Sequence, residues 1–263
     1  MALMHVNVYS KVLKQHISLD VLTPMEHDAH DFPADHLWPT LYLLHGLSDD
    51  HTVWQRWSSL ELKLGGLPLA VVMPTTLRGF YTDMKYGPKY FTFISEELPT
   101  MCEKLFHLSP LREDRFAAGL SMGGYGAFKL GLLRPDRFSA VASLSGGLDV
   151  VGATESAFDY DSILPEYPII FGSREEAIGS ENDLFHLAKK MSESDGEKPK
   201  FFMWCGTDDK LYKENAYFNE CFGKSLNIDY REGEGSHIWK YWDMHISDVL
   251  DWLPLRTREL PHV

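Results

Sequence analysis

The stretch Gly119-Leu120-Ser121-Met122-Gly123-Gly124 decides the fold, because it separates two segments of different character. Residues 114–118 form a short segment that can cross a core as a strand. Residues 125–133 are rich in helix formers and end before Arg134-Pro135, so they predict a helix. Between a strand and a helix, Gly-x-Ser-x-Gly is typical of a nucleophile elbow, a strained turn that lifts a serine hydroxyl above the edge of a sheet. Ser121 is therefore the predicted nucleophile.

Apolar segments alternate with helical patterns along the chain, and this alternation predicts an α/β fold with a mainly parallel sheet and helices on both faces. Two segments of period two near the start, 6–10 and 15–22, predict an antiparallel hairpin. Buried strands are predicted at 40–44, 69–74 and 138–146, and further strands at 200–205 and 227–231. Helices are predicted at 90–107, with Pro99 as a possible kink, and at 181–191, 212–224 and 240–253.

The domain organisation follows from what interrupts this rhythm. No linker rich in Pro, Gly or Ser and no internal repeat divides the 263 residues, so we expect a single domain over residues 1–263. Residues 148–180 are acidic, contain several aromatic and proline residues, and show little periodicity. We interpret them as an excursion over the strand ends, a candidate cap within that domain.

Composition excludes several classes of partner. A net charge of −13 argues against binding to nucleic acid or to an anionic membrane surface, for which basic residues supply the affinity. The three cysteines lack the spacing of a disulfide framework. No signal peptide or membrane span is recognisable, so we expect a cytoplasmic protein with a small-molecule partner. Exposed sheet edges and an amphipathic final helix are compatible with a homo-oligomer.

A nucleophilic serine needs a base to accept its proton and a carboxylate to orient that base. In α/β hydrolases these residues follow in the order Ser, Asp or Glu, His. Gly206-Thr207-Asp208-Asp209 follows the strand predicted at 200–205; both aspartates are candidates, and the usual Gly-x-x-Asp loop favours Asp209. The Gly-rich loop before the last helix contains His237. The sequence thus predicts an α/β-hydrolase fold with Ser121, Asp209 and His237 as the catalytic triad.

Binding of an oxyanion requires two backbone N–H donors. Met122 follows the nucleophile and begins the predicted helix, so its amide is one predicted donor. The loop after the strand at 40–44 contains His45-Gly46, where glycine lets the backbone approach a substrate. Leu47 in this loop is the second predicted donor.

Aromatic residues in loops near the predicted strand ends are candidates for the ester pocket, although such residues are as often core anchors. They are Trp54, Trp57, Tyr81, Tyr86 and Trp239. Residues 26–36 are rich in acidic residues and histidines but lack a defined ligand spacing, so we expect a solvated loop and no bound metal.

Several motifs match one family together. They are Leu43-Leu44-His45-Gly46, Gly79-Phe80-Tyr81-Thr82-Asp83, Glu96-Glu97-Leu98-Pro99, the elbow itself, Trp204-Cys205-Gly206-x-x-Asp209 and Ser236-His237-x-Trp239. With them the chain resembles the esterase D-like carboxylesterases over nearly its whole length, and among these it is most similar to the tributyrin esterases of lactic acid bacteria and streptococci. The resemblance implies a serine hydrolase that prefers short acyl chains and needs no cofactor. It places the triad at Ser121, Asp209 and His237, and the oxyanion donors at Leu47 and Met122.

Other functions stay open at this point. Cleavage of feruloyl, acetyl-xylan or other sugar esters and hydrolysis of S-formylglutathione occur on similar sequences, and an acyltransferase would pass the acyl group to an alcohol instead of water. A non-catalytic binding protein on the same scaffold is disfavoured, because such proteins usually lose a triad residue and this chain has all three in order.

Overall fold

The computed structural model describes residues 1–25, 36–152, 154 and 160–256. Residues 26–35 of the predicted solvated loop and part of the candidate cap lie outside these residues. Within them, eight strands form one sheet in the order β1-β2-β4-β3-β5-β6-β7-β8. The strands are β1 (Ala2–Ser10), β2 (Gln15–Thr23), β3 (Thr40–Leu44), β4 (Ala70–Pro74), β5 (Arg115–Leu120), β6 (Ala140–Leu144), β7 (Lys200–Gly206) and β8 (Ile228–Gly233).

The helices fill the connections between these strands. They are α1 (Val53–Trp57), α2 (Leu60–Leu64), α3 (Tyr90–Thr92), α4 (Leu98–Leu105), α5 (Met122–Leu133), α6 (Tyr160–Ile163), α7 (Tyr167–Ile170), α8 (Arg174–Ala177), α9 (Leu184–Ser192), α10 (Tyr212–Phe222) and α11 (Trp239–Trp252). A π-helical turn covers Phe93–Glu97 and a 3₁₀ turn covers Arg112–Asp114. No helix in the described part of the chain combines the length and the apolar character that a membrane span requires.

The sheet is mainly parallel, as predicted. Strands β1 and β2 form the expected antiparallel hairpin, β2 pairs antiparallel with β4, and the remaining pairs from β4 to β8 are parallel. Side chains of β3 alternate between two apolar clusters: Tyr42 and Leu44 pack on the side of α5, whereas Leu41 and Leu43 pack on the side of α11. Because the strands from β4 to β8 run in the same direction, their carboxyl ends form one shared edge of the sheet.

Two helical predictions need correction, and two short helices were not predicted. The helix predicted over 90–107 is divided by a π-helical turn immediately before Leu98–Leu105, where Pro99 has no N–H to continue the α-helical pattern. Helix α9 begins at Leu184, later than predicted, because the Asp183 carboxylate caps it by accepting the His186 N–H at 3.0 Å. Helices α1 and α2 were not predicted, since five residues are too few to show a helical period.

The described part of the segment 148–180 contains the short helices α6, α7 and α8, where the sequence indicated an irregular stretch. Arg78, in the loop that follows β4, donates through its guanidinium to the Glu166 carboxylate of this segment at 2.9 and 3.0 Å. Phe80 packs edge-on against both Tyr160 and Phe171. The segment therefore packs against residues 78–80 next to the carboxyl edge of the sheet.

Candidate active site

The turn between β5 and α5 has the strained geometry of a nucleophile elbow. Ser121 lies at φ 53° and ψ −118°, a conformation that is unfavourable for a residue with a side chain. The flanking glycines are required because backbone segments pass close to them. A Cβ on Gly119 would lie 2.4 Å from the Gly123 carbonyl carbon, and a Cβ on Gly123 would lie 2.5 Å from the Leu44 oxygen. Hydrogen bonds from Ser121 N–H to the Leu144 oxygen and from Gly147 N–H to the Ser121 oxygen hold the turn.

The three residues of the predicted triad are in contact. His237 Nε2 lies 3.0 Å from Ser121 Oγ, and His237 Nδ1 lies 3.0 and 2.9 Å from the two carboxylate oxygens of Asp209. An ionised carboxylate can only accept hydrogen bonds, so Nδ1 holds the proton and Nε2 is free to accept the Ser121 O–H. Asp208, the competing aspartate, is exposed to solvent.

The environment of Asp209 keeps its carboxyl ionised. Burial of this fully enclosed side chain would raise its pKa, but hydrogen bonds from His237, from the Leu211 N–H at 2.9 Å and from the Ser145 hydroxyl outweigh burial and lower the pKa. The Ser145 hydroxyl also accepts the Trp242 indole N–H at 3.3 Å, and the Trp242 ring packs edge-on against His237. Sequence reasoning did not identify Ser145 or Trp242; the run of small residues that ends the strand predicted at 138–146 was the available signal for Ser145.

Backbone contacts join the loops that carry the acid and the base. Thr207 N–H donates to the Gly233 oxygen and Asp208 N–H donates to the Gly235 oxygen, each at 2.8 Å. The separation of Asp209 and His237 is therefore fixed by the pairing of β7 with β8 and its extension beyond the strand ends.

The loop after β3 is held by a buried histidine. His45 Nδ1 lies 2.7 Å from the Gly46 oxygen, His45 Nε2 accepts the Thr76 N–H at 3.1 Å, and the Tyr81 hydroxyl donates to the His45 oxygen at 3.0 Å. Burial lowers the pKa of His45 to about 4, so the ring is neutral at pH 7. These contacts fix the backbone that leads to Leu47.

The amides of Leu47 and Met122 are suitable oxyanion donors. Neither N–H has a hydrogen-bond acceptor among the residues that the structure describes. Both residues line a cavity beside Ser121, and Met122 is the first residue of α5, where the helix dipole favours negative charge. Within the same described residues, no cluster of His, Cys, Asp and Glu is arranged to hold a metal ion.

Comparison with known proteins identifies the family of this chain. A family model described as "Putative esterase" matches residues 10–253. The chain belongs to this esterase family. An acetyl esterase from Caldicellulosiruptor saccharolyticus is 32% identical over 264 residues, which cover 96% of this chain and 98% of that protein.

Two solved structures are similar at comparable identity. FphF, a fluorophosphonate-binding serine hydrolase of Staphylococcus aureus, has a TM-score of 0.83 at 31% identity, over 96% of this chain and 98% of that chain. The S-formylglutathione hydrolase FrmB from the same organism has a TM-score of 0.81 at 31% identity, with the same coverage. The protein is thus an enzyme, a serine hydrolase of carboxylic esters with the α/β fold of these relatives.

Two cavities of unequal size meet at Ser121 of this esterase. The smaller has a volume of about 20 Å³. Its walls, besides Ser121 and the two amide-bearing residues, include Phe80, Gly147, Tyr160, Ile163, Leu164 and Leu211. The larger is an open cleft of about 440 Å³, and its lining includes Asp49, Trp57, Lys210, His237, Ile238 and Trp239. Leu47, Ser121 and Ile163 line both.

Only part of the predicted aromatic pocket lines these cavities. Trp57 and Trp239 line the cleft, but they belong to α1 and α11 and not to loops. Trp54 and Tyr81 have no exposed surface, and they hold the backbone behind the site: the Trp54 indole N–H donates to the Leu44 oxygen at 3.1 Å, as Tyr81 does to His45. Tyr86 is 70% exposed and lines neither cavity. The structure therefore does not place Trp54, Tyr81 or Tyr86 in the lining of either cavity.

Apart from Ser121, Leu47 and Met122, the residues that line the small cavity were not predicted. Phe80 has a positive φ of 49°, which the sequence did not reveal. Tyr160, Ile163 and Leu164 belong to the segment 148–180, whose weak periodicity gave no indication of which side chains face Ser121. The proximity of this segment to the strand ends was the one available signal.

Proposed function

We propose that this esterase hydrolyses esters of short acyl groups, acetyl above butyryl, through an acyl-enzyme on Ser121. The observation that carries the proposal is the 3.0 Å contact between Ser121 Oγ and His237 Nε2, with Asp209 on the opposite ring nitrogen. Such a chain of contacts makes a serine hydroxyl nucleophilic near neutral pH.

The proposed reaction has two halves. His237 Nε2 takes the hydroxyl proton while Ser121 Oγ attacks the ester carbonyl carbon, and the Leu47 and Met122 amides donate to the oxyanion. The imidazolium, stabilised by Asp209, then protonates the alkoxide oxygen, and the alcohol leaves. Water repeats the sequence on the acyl-enzyme, with His237 as its base, and releases the acid and free Ser121.

The small cavity supports a short acyl group. A volume of about 20 Å³ is the space that roughly one water molecule needs, and an acetyl methyl group is of that size. A butyryl chain would displace side chains of the cavity wall. We therefore expect triacetin to be a better substrate than tributyrin, although the sequence is similar to tributyrin esterases.

The larger cleft suits the alcohol. Its volume of about 440 Å³ lies in the range of small-molecule sites, and Trp57, with 59% of its surface exposed, provides an aromatic face on which a sugar or aryl group can pack. Acetyl esters of sugars fit this division, whereas feruloyl esters carry their bulk on the acyl side. Transfer of the acyl group to an alcohol instead of water would use the same cleft.

A second candidate is hydrolysis of S-formylglutathione, the reaction named for the FrmB relative. A formyl group fits the small cavity, and Lys210 lines the cleft that would receive the thiol. However, Asp49 lines the same cleft and the chain carries a net charge of −13, so a neutral alcohol is favoured over an anionic peptide thiol. Comparison of kcat/KM for p-nitrophenyl acetate and S-formylglutathione distinguishes the two.

The central experiment replaces the nucleophile. Ser121→Ala should reduce kcat on p-nitrophenyl acetate by about five to six orders of magnitude, because triad residues act as a unit. Ser145→Ala, in a serine that touches Asp209 but not the substrate cavities, is the matched control and should retain labelling by a fluorophosphonate probe, which Ser121→Ala should lose. Turnover by Ser121→Ala within tenfold of wild type would contradict the proposal.

A further inference from the structure

Tyr160 is the largest side chain that reaches the small cavity from the segment 148–180. It is the first residue of α6, is 4% exposed, and lines the cavity together with Ser121 and Met122. Its ring packs edge-on against Phe80, another residue of the cavity wall, with 6.3 Å between ring centroids. Tyr160 is therefore in the path of an acyl chain longer than acetyl.

A buried glutamate holds the ring in this position. The Tyr160 hydroxyl donates to Glu214 Oε1 at 3.2 Å, and the same oxygen accepts the Leu148 N–H at 2.7 Å. Glu214, on α10, has no exposed surface. Burial, together with the nearby Asp149 carboxylate, raises the pKa of Glu214 to about 8, so the carboxyl is mainly neutral at pH 7 and accepts these bonds without an unpaired buried charge.

The position of the hydroxyl is also coupled to the nucleophile. A Cβ on Gly147 would lie 2.8 Å from the Tyr160 hydroxyl oxygen, so the backbone of Gly147 lies directly against the hydroxyl. The Gly147 N–H donates to the Ser121 oxygen at 3.1 Å. Lateral movement of the ring is thus blocked by Phe80 and by the strand-end loop that supports Ser121.

We propose that Tyr160 sets the upper limit on acyl length in this esterase, with Glu214 as the positioning residue that keeps its ring in the cavity. The inference rests on the proposed function, since it requires that the acyl group occupy the small cavity when Ser121 is acylated. A longer chain is excluded because the ring occupies the space that its methylenes would need.

The test compares kcat/KM for p-nitrophenyl acetate and p-nitrophenyl hexanoate. Tyr160→Ala should raise the hexanoate-to-acetate ratio by at least about tenfold, since even one methylene in an apolar pocket changes specificity by about 10–200-fold. Tyr160→Leu keeps an apolar side chain at this position and should also raise the hexanoate-to-acetate ratio. It replaces the alanine variant in the test if that variant does not fold. Tyr167→Ala is the matched control: Tyr167 is 3% exposed and lies in the same segment but lines neither cavity, so the ratio should stay within about threefold.

Variants of Glu214 test the positioning role. Glu214→Gln keeps an acceptor for the hydroxyl and should leave the ratio within about threefold of wild type, whereas Glu214→Leu removes the acceptor and should raise it. An equal decrease in kcat/KM for both esters in Glu214→Leu would refute the positioning role. An unchanged ratio in both Tyr160 variants would overturn the inference while leaving acetate hydrolysis, and hence the proposed function, intact; absence of acetate hydrolysis in wild type would refute the function itself.

Discussion

Two adjacent aspartates allow a sharp test of the proposed triad. Asp209→Asn preserves the size of a side chain that has no exposed surface, and its remaining oxygen can still accept the Leu211 N–H. The amide nitrogen would then face His237 Nδ1, which lies 2.9 to 3.0 Å from both carboxylate oxygens. Because an amide N–H can only donate, Nδ1 would become an acceptor and the ring proton would move to Nε2.

That tautomer cannot accept the Ser121 proton. The substitution also removes the negative charge that stabilises the imidazolium. Loss of the equivalent carboxylate in other serine hydrolases costs about 10⁴-fold in kcat, which corresponds to about 5.5 kcal/mol of transition-state stabilisation. We expect a loss of this size for Asp209→Asn.

The assay is kcat on p-nitrophenyl acetate, with thermal unfolding as a check that the variant is folded. Asp208→Asn is the matched control, because Asp208 is exposed and only its backbone N–H contacts the base loop. Its kcat should stay within about twofold of wild type. If Asp209→Asn retains a tenth of the wild-type kcat, or if Asp208→Asn loses as much as Asp209→Asn, the assignment of the acid is wrong.

Three further predictions concern stability. Glu214 has a pKa of about 8 in the folded protein against an ordinary 4.5, so its contribution to the free energy of unfolding is complete below pH 4.5 and is lost as pH rises through 8. The change in the free energy of unfolding in urea between pH 5 and pH 9 should therefore be smaller in Glu214→Gln than in wild type. Lys129 is fully buried on α5, and burial lowers its pKa from 10.5 to about 7. Its contribution to the free energy of unfolding is therefore complete above pH 10.5 and is lost as pH falls through 7. Lys129→Met should therefore gain stability relative to wild type as pH is lowered from 10 to 6 in the same assay, and a constant gap would contradict this. Gly123→Ala places a methyl group 2.5 Å from the Leu44 oxygen and should lower the free energy of unfolding, measured by calorimetry, by about 1–3 kcal/mol. Gly233→Ala is the control, because no atom lies within 4 Å of the added carbon, and its stability should be close to that of wild type.

The sequence was most informative where chemistry restricts the residue type. The two glycines around Ser121 are required by close backbone approach, and an acid and a histidine at successive strand ends follow from the order of the parallel strands. The strands themselves could be predicted because both faces of the sheet are buried, which produces apolar runs such as 40–44 and 200–205.

Prediction failed where tertiary contacts decide the position of a residue. Trp54 and Trp57 are three residues apart on α1, yet Trp54 is fully buried and Trp57 is 59% exposed; without the helix, which is too short to recognise, nothing in the sequence separates them. Tyr160 lines the cavity beside Ser121 and contacts Phe80 and Glu214, which are both distant from it in sequence. The position of such residues can be determined only from the folded structure.

The meeting of two cavities at one serine affects how this enzyme can diversify. In the proposed function, the acid half of a substrate contacts mainly α6 and the Phe80 turn, while the alcohol half contacts mainly α1 and the start of α11. Among the described residues, the lining that the two cavities share consists of Leu47, Ser121 and Ile163. Free-energy effects of substitutions on the two sides should therefore add, as they do for sites without common partners. Selection could then change preference for one half of an ester while leaving preference for the other half untouched, with Ile163 as the position where the two preferences become linked.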